Sequence, residues 1–413
     1  MSWAKTRLKF LSKVPITNGI GEPGSFDDPT WPRYVRTTDI AGPRELRDDV
    51  FASLPPEVAR RAMLRRGDLV MTAAGATIGK SLLYDRDQPA CYAGYLVRFR
   101  PRSDVDGRFV AYWMESQAYW EQIVTGKVVS TIENFSAGKY RNLQLSLPNH
   151  DEQRAIVDYL DRETARIDAL IAAKQRMLVL LTERARELVA DRLLGPPVPG
   201  AGAAAEQITA RPGWRTTPFR WLFREIDERS TTGDETLLSV SQTRGVIPQA
   251  ELGDRRQYAE TLIGYKLCRA GDLVVNRMWV YYGALGSSHY EGIVSPDYAV
   301  FRPTDSVSSE FAAYVLRTAA YVAEMTRLVR GIGAAFQGAV RKPRLHPNEL
   351  GLIAMPVPPH ADQARILEQL DSDTRKLNTQ MSLLHRSVAL LYERRQALIT
   401  AAVTGQLEVT VAA

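Results

Sequence analysis

The sequence predicts a mixed α/β (α+β) fold in which one module is used twice with pseudo-two-fold symmetry. Two globular domains are joined by two long helices that pair as an antiparallel coiled coil. Two observations predict this. Residues 148–195 align with residues 358–405 without a gap, at a constant offset of 210 residues. In both segments, apolar residues recur every seven positions, which is typical of a coiled-coil seam.

The repeat is detailed enough to indicate a duplicated module. Pro148 matches Pro358 at one end of it, and Gly195 matches Gly405 at the other. Its period is far too long for a solenoid unit. The globular parts match more weakly, at Trp3, Leu8, Phe10 and Leu11 with Trp214, Phe219, Trp221 and Leu222, and at Arg66–Val70 with Ala270–Val274. The scaffold is therefore repeated, whereas the sequence between these anchors has diverged.

The repeat also sets the predicted domain boundaries. The segment between the two modules is rich in proline, glycine and alanine, as expected of a linker. In chain order, the predicted parts are the first globular domain (1–147), the first long helix (148–195), the linker (196–213), the second globular domain (214–357), the second long helix (358–405) and a C-terminal tail (406–413).

The predicted seam follows one heptad position in each helix. Its residues are Leu160, Ile167, Lys174, Leu181 and Leu188 in the first copy, and Leu370, Leu377, Leu384, Leu391 and Leu398 in the second. Each helix could instead pack only on its own domain. A helix of roughly 44 residues would, however, be about 66 Å long, which exceeds the width of such a domain. Antiparallel pairing is favoured because it would hold the two domains apart.

Length and composition place the chain among ordinary soluble proteins. It has 413 residues, of which 45% are hydrophobic and 24% charged. The sequence has no apolar run of about 18 residues and no signal-peptide pattern, so a cytoplasmic location is expected. Two cysteines provide neither a disulfide framework nor metal-ligand spacing, and both are expected to be buried, reduced thiols.

The sequence contains no set of residues typical of catalysis. The segment Gly75–Ser81 resembles a phosphate-binding loop but has three residues between its glycines instead of four. The five histidines lack the spacing of metal ligands. Neither the motif of an amino-methyltransferase nor a nuclease metal cluster is present. We therefore expect a non-enzymatic binding protein without catalytic, cofactor-binding or metal-binding residues.

Positive charge is concentrated on the globular domains. Residues 1–147 contain 21 Lys/Arg against 16 Asp/Glu, and residues 211–357 contain 18 against 15. Aromatic and basic residues interleave in predicted loops, where they can contact phosphates, sugars and base edges. The candidate DNA-binding residues are Arg33, Tyr34, Arg36, Thr38, Lys80, Lys127, Lys139, Arg141, Arg244, Asn276, Arg277, Trp279, Tyr281, Arg330, Arg341, Lys342 and Arg344.

Several motifs resemble one known family. The first long helix opens with Pro-x-x-x-Glu-Gln at 148–153, and the second with a variant at 358–363 in which Asp362 replaces the glutamate. Gly-Asp-Leu-Val precedes a glycine-rich loop in both halves, and Leu238–Gln242 and Gly292–Tyr298 add to the likeness. Together these motifs resemble the specificity subunit of type I restriction-modification systems.

The resemblance implies a complete functional scheme. Two target-recognition domains would each read one half of a bipartite sequence in double-stranded DNA, with the coiled coil as spacer. The same helices would dock two methyltransferase subunits, which restriction subunits would join. S-adenosylmethionine, ATP and Mg would be bound by those partners, and no membrane would be involved.

Two other interpretations remain open on the sequence alone. A coiled-coil adaptor without DNA affinity would show little loss of binding as salt increases, whereas phosphate contacts release counterions and are strongly salt-dependent. A stand-alone enzyme would carry bound nucleotide or S-adenosylmethionine when purified.

Overall fold

The computed structural model describes residues 3–126, 134–194, 211–241, 244–252, 261–329 and 344–409. Its internal contacts divide the chain into two compact units. Unit 1 comprises Met1–Arg176 and Leu384–Ala413, and unit 2 comprises Met177–Leu383. This division passes through both long helices, so each unit contains part of each helix.

Unit 1 begins with a domain of short strands and helices. Its elements are β1 (Ala4–Arg7), α1 (Leu8–Leu11), β2 (Thr17–Asn18), β3 (Arg33–Val35), β4 (Ile40–Gly42), β5 (Glu45–Leu46), α2 (Pro56–Ala59), β6 (Asp68–Thr72), β7 (Ser81–Tyr84), β8 (Ala90–Tyr92), β9 (Leu96–Phe99), α3 (Gly107–Glu115), α4 (Gln117–Gly126), α5 (Ala137–Asn142) and β10 (Gln144–Leu147). The main sheet has the order β2-β9-β6-β7, and smaller sheets pair β1 with β10, β3 with β8 and β4 with β5. The first long helix, α6 (His150–Leu193), follows.

Unit 2 repeats this architecture. Its elements are β11 (Arg215–Pro218), α7 (Phe219–Leu222), β12 (Phe223–Ile226), β13 (Leu238–Ser241), β14 (Gly245–Pro248), β15 (Lys266–Cys268), β16 (Leu273–Asn276), β17 (Leu285–Ser287), β18 (Gly292–Val294), β19 (Tyr298–Pro303), α8 (Ser309–Leu316), α9 (Ala319–Leu328), α10 (Pro347–Leu350), β20 (Ala354–Val357) and α11 (His360–Val403). The sheet order β12-β19-β16-β17 corresponds to β2-β9-β6-β7, and the pair β11-β20 corresponds to β1-β10.

The helices of each domain are shorter than the hydrophobic pattern predicts. The apolar patterns of 109–122 and 310–328 each predict one helix, but both segments are broken into two. At the breaks, the Ser116 hydroxyl donates to the carbonyl of Trp113 at 2.6 Å, and the Thr318 hydroxyl donates to that of Val315 at 2.8 Å. Serine and threonine side chains compete in this way with the backbone hydrogen bonds of a helix.

The two long helices run antiparallel, as predicted. Within each unit, the contacts between α6 and α11 pair rising residue numbers on the first helix with falling numbers on the second. In unit 1, Arg395 Nε donates to Asp168 at 3.0 Å and Gln175 Nε2 donates to Tyr392 Oη at 3.4 Å; in unit 2, Met381 Sδ lies 3.7 Å from Thr182 Oγ1 and Asp373 pairs with Arg192 at 3.3 Å.

The heptad positions lie on the less exposed side of each helix. Leu160, Ile167 and Leu370 are buried. The others are half-buried, namely Lys174, Leu181, Leu188, Leu377, Leu384, Leu391 and Leu398. A lysine at such a position can keep its stem against the partner helix while its ammonium group reaches water.

Each domain core is completed by both long helices. In unit 1, Leu160 of α6 and Ile399 of α11 belong to the same buried cluster as Phe109 and Trp113 of α3. In unit 2, Leu193 and Leu370 join the cluster formed around the sheet and α8. Each fully buried aliphatic side chain contributes about 1.5–3 kcal/mol. The helices are therefore integral to the domain cores.

Candidate nucleic-acid interface

A buried glutamine attaches the start of each long helix to its domain. Gln153 is 1% exposed; its Oε1 accepts from the backbone N–H of Asp106 at 2.8 Å, and its Nε2 donates to the carbonyl of Pro148 at 2.9 Å. Gln363 repeats this arrangement with Ser308 and Pro358. The shared Gln in the two helix-start motifs thus fixes the angle at which the helix leaves the domain.

Replacing Gln363 with leucine is expected to destabilise unit 2 by about 2–4 kcal/mol, because a buried N–H and buried carbonyls would lose their partners. Hydrogen exchange measured at rising temperature would show the loss of stability in unit 2. Gln380→Leu is the matched control, since Gln380 is exposed on the same helix. Equal effects of both substitutions would contradict this role for Gln363.

A second repeated contact explains the Gly-Asp-Leu-Val motif. Asp68, at the start of β6, is buried and accepts two hydrogen bonds of 2.6 Å from Arg100. Asp272 and Arg302 form the equivalent pair, with bonds of 2.9 and 3.0 Å. Hydrogen bonding to the aspartate raises the pKa of each arginine. This motif therefore has a structural role, which is to tie neighbouring strands together below the loops.

In unit 1, three loops meet at the end of β6. The N–H of Ala73 donates to the carbonyl of Tyr95 at 2.8 Å, and that of Phe135 donates to the carbonyl of Ala73 at 2.7 Å. Asn134 forms a bridge with Ala74. The surface formed by residues 73–79, Tyr95 and Asn134 is called the unit 1 loop surface. Tyr95 is its most prominent side chain, at 68% exposure.

In unit 2, the equivalent segments meet at the end of β16. The N–H of Leu345 donates to the carbonyl of Arg277 at 3.0 Å, and Arg344 pairs with Asp297 at 3.1 Å. Exposed Trp279 and Tyr282 lie with their ring centroids 5.6 Å apart. The unit 2 loop surface comprises residues 277–283, Asp297 and Arg344.

The two loop surfaces share a backbone arrangement but differ in their side chains. Gly75 and Gly79 provide the positive φ angles of 82° and 90° that the tight turns of the first loop require. The corresponding loop in unit 2 has one such glycine, Gly283 with a φ angle of 76°, and carries the large aromatic pair. Exposed aromatic rings can pack on sugars, thymine methyl groups or unstacked bases, while arginine can reach phosphates and guanine edges.

Most of the candidate residues of unit 1 use their side chains for hydrogen bonds within their own domain. Arg33 and Tyr34 are buried, and Arg36 and Thr38 both bond to Asp39. The other three side chains donate to backbone carbonyls, with Lys80 bonding to Ile40, Lys139 to Gly126, and Arg141 to Ile16.

The candidates of unit 2 are placed closer together. Arg277, Trp279 and Arg344 lie on the unit 2 loop surface, although Arg277 also donates to the carbonyl of Leu345. Asn276 is buried at the end of β16, and Arg244 pairs with Glu251 in the β13–β14 hairpin region. Outside the described residues lie Lys127, Arg330, Arg341 and Lys342, and likewise the side chain of Tyr281.

The candidate residues predicted from the sequence do not include Tyr95, Asn134 or Tyr282. Tyr95 and Asn134 lie outside the clusters of basic and aromatic residues, whereas Tyr282 is the last residue of the cluster Asn276–Tyr282. The alignment of the halves offered a usable signal, because Asn134 occupies the position of Arg344 at the same 210-residue offset.

Neither thiol is exposed, and the acidic side chains of the described residues form no metal-binding cluster. Cys91 and Cys268 are buried, and burial raises their pKa values to about 12 and about 11, which keeps both thiols protonated. The described ranges contain no cluster of three or more His, Cys, Asp or Glu able to hold a metal ion. Within the same ranges, no helix is long and apolar enough to span a membrane.

Comparison with known proteins gives a family match to part of the chain and a shared fold for the whole chain. Residues 62–178 match the family described as "Type I restriction modification DNA specificity domain". This segment runs from before β6 into α6, and so includes the unit 1 loop surface. No curated protein matches the sequence.

Two solved structures have the same fold over nearly the whole chain. One comes from work on complex assembly and conformational transition of the type I R-M system; it has a TM-score of 0.72 at 17% identity, and 98% of each chain is covered. The other is the HsdS subunit from Thermoanaerobacter tengcongensis, with a TM-score of 0.57 at 19% identity, covering 98% of this chain and 97% of that one. Residues 62–178 therefore match the type I restriction-modification DNA specificity domain, and the chain as a whole shares the fold of these two solved structures.

Proposed function

We propose that the chain reads a bipartite target in double-stranded DNA, with one half-site contacted by each loop surface. The observation that carries this proposal is the repeated scaffold with two different loop surfaces. One backbone hydrogen bond recurs in both sets of loops, from Phe135 to Ala73 and from Leu345 to Arg277. The side chains around it differ, as expected of two readers with different base preferences.

DNA affinity should depend steeply on salt if the loop surfaces contact phosphates. We expect the assembled complex to lose at least roughly 100-fold in affinity for its target between 50 and 200 mM salt, as expected for several phosphate contacts. Fluorescence anisotropy with target and scrambled duplexes would measure this. Salt-independent binding, or equal affinity for both duplexes, would contradict the proposal.

The chain is further proposed to assemble with two methyltransferase subunits through its long helices, and with restriction subunits that join them. Both helices expose apolar side chains that a soluble coiled coil does not require. On α6, Leu170, Met177 and Leu180 share one face by their spacing, and on α11 Leu383 and Leu390 do so. Exposed apolar stripes of this kind mark protein–protein contacts.

Replacing Leu180 and Leu390 with lysine should weaken methyltransferase binding by at least about 2 kcal/mol, or roughly 30-fold, because buried apolar contact is lost. These residues match in the repeat and are 64% and 55% exposed, so the fold should survive. Isothermal titration would measure the affinity, with Arg184→Lys and Arg394→Lys as conservative controls on the same turns. Unchanged affinity in the leucine variants would exclude this contact.

Catalysis is assigned to the partners. Methyl transfer would use S-adenosylmethionine, and cleavage ATP and Mg, all bound by those subunits in the cytoplasm. The isolated chain is expected to neither methylate nor cleave DNA. Methyl transfer by the purified chain alone would contradict this assignment.

A further inference from the structure

An exposed aromatic residue occupies the same position in both units. Phe10 on α1 is 59% exposed, and Trp221 on α7 is 67% exposed. The repeat aligns them, and each stands on a single helical turn directly after the first strand of its domain. The apolar residues that flank them are buried, namely Leu8 and Leu11 in unit 1 and Phe219 and Leu222 in unit 2. Core packing therefore accounts for the flanking residues but not for the two exposed rings.

Each ring is accompanied by two cations at matching positions. Lys9 Nζ lies 5.0 Å from the centroid of the Phe10 ring, and the Arg220 guanidinium lies 5.6 Å from that of Trp221. A second cation follows each ring by three residues, Lys13 in unit 1 and Arg224 in unit 2. All four cationic side chains are exposed. We name these groups the Phe10 patch (Lys9, Phe10, Lys13) and the Trp221 patch (Arg220, Trp221, Arg224).

The charge around the Phe10 patch favours an acidic partner, while the Trp221 patch supplies Arg220 and Arg224 and is followed by Glu225. Residues 4–21 contain Lys5, Arg7, Lys9 and Lys13 but no aspartate or glutamate. An aromatic ring beside a cation is also the combination that most often carries binding energy at protein interfaces. The partner surface should therefore have an apolar centre with acidic residues around it.

The duplication indicates how many copies of the partner bind. The loop surfaces differ between the units, whereas the patches share the pattern of a cation, an aromatic ring and a second cation. A feature kept in both halves fits a partner that is the same for both halves, whichever DNA sequence each half reads. Two identical subunits, one on each unit, satisfy this requirement.

We propose that the Phe10 patch and the Trp221 patch are equivalent docking points, each contacting an acidic, apolar-centred surface on one of two identical methyltransferase subunits. This inference rests on the proposed function, in which two such subunits bind the chain. It adds a contact on each domain to the contact along the helices.

The test is assembly of the full chain with its methyltransferase subunit, followed by native mass spectrometry over a range of subunit concentrations. Phe10→Ser and Trp221→Ser should each weaken binding of one of the two copies by on the order of 30-fold, as expected for an interface hot spot. The double variant should weaken both copies. Tyr95→Ser is the matched control, because Tyr95 is equally exposed but lies on the unit 1 loop surface, and it should leave assembly unchanged.

The charge requirement is tested with Arg220→Glu. This variant should lose more affinity at low salt than at high salt, since the attraction it removes is screened by ions. Thermal unfolding of each variant checks that the fold is retained.

Assembly constants within twofold of wild type for both single variants would overturn the inference and leave the proposed function intact. Unchanged assembly with weaker DNA binding would likewise overturn it, by assigning the patches to the DNA backbone. Failure of the wild-type chain to bind any methyltransferase subunit would overturn both.

Discussion

Exchanging residues 214–357 for the corresponding segment of a related specificity subunit is expected to replace one half of the methylated target and leave the other half unchanged. The reason is that the unit 2 loop surface lies entirely within this segment, while the unit 1 loop surface lies outside it. The segment also ends just before α11, so the buried Gln363 that attaches the helix to the domain is retained. Methylome sequencing of cells expressing the chimera would show the new target.

The reciprocal exchange of residues 1–147 is the matched control, and it should change only the other half. Both chimeras should keep the wild-type spacer, because neither alters α6 or α11. A simultaneous change of both half-sites in either chimera would contradict independent reading by the two units.

Removing one heptad from each long helix, residues 174–180 and 384–390, is expected to shorten the spacer between the half-sites. Seven residues correspond to about 10 Å of helix, or roughly three base pairs. A whole-heptad deletion keeps the seam in register, and the antiparallel contacts Asp168–Arg395 and Asp373–Arg192 lie outside the deleted segments. Such a shift also rotates one half-site about the DNA axis relative to the other. Methylation should therefore occur at targets with the shorter spacer and should also become less frequent.

Deleting residues 174–180 from α6 alone is the control for this experiment. It would shift α6 against α11 and misplace either the Asp168–Arg395 or the Asp373–Arg192 contact, and we expect loss of assembly. An unchanged spacer in the double deletion would show that the helices do not set the distance between half-sites.

The scaffold could be predicted from the sequence because short-range sequence patterns specify it, and these patterns occur in both halves of the chain. The heptads of α6 and α11 and the motifs that open both helices follow short-range patterns. At the start of α6, Asn149 and Glu152 form a capping box with reciprocal hydrogen bonds of 3.1 and 2.9 Å. The breaks at Ser116 and Thr318 were missed because the apolar pattern continues through them.

The loop surfaces were less predictable because they depend on contacts between distant segments. Arginine and lysine in a cluster suggested DNA contact, yet Arg33 is buried and donates to the carbonyl of Arg47 at 2.5 Å. Tyr95 lies next to the first loop only because the strands that flank it are paired in the sheet. The roles of Gln153 and Gln363 likewise require knowing which backbone groups of the domain lie beside the helix start.

The most direct test of the account is the methylome of cells that carry the methyltransferase subunit with and without this chain. We expect methylated bases in a target of two defined halves separated by a spacer of fixed length and free sequence, present only when the chain is expressed. Methylation of an uninterrupted target, or the same methylation in cells that lack the chain, would contradict it.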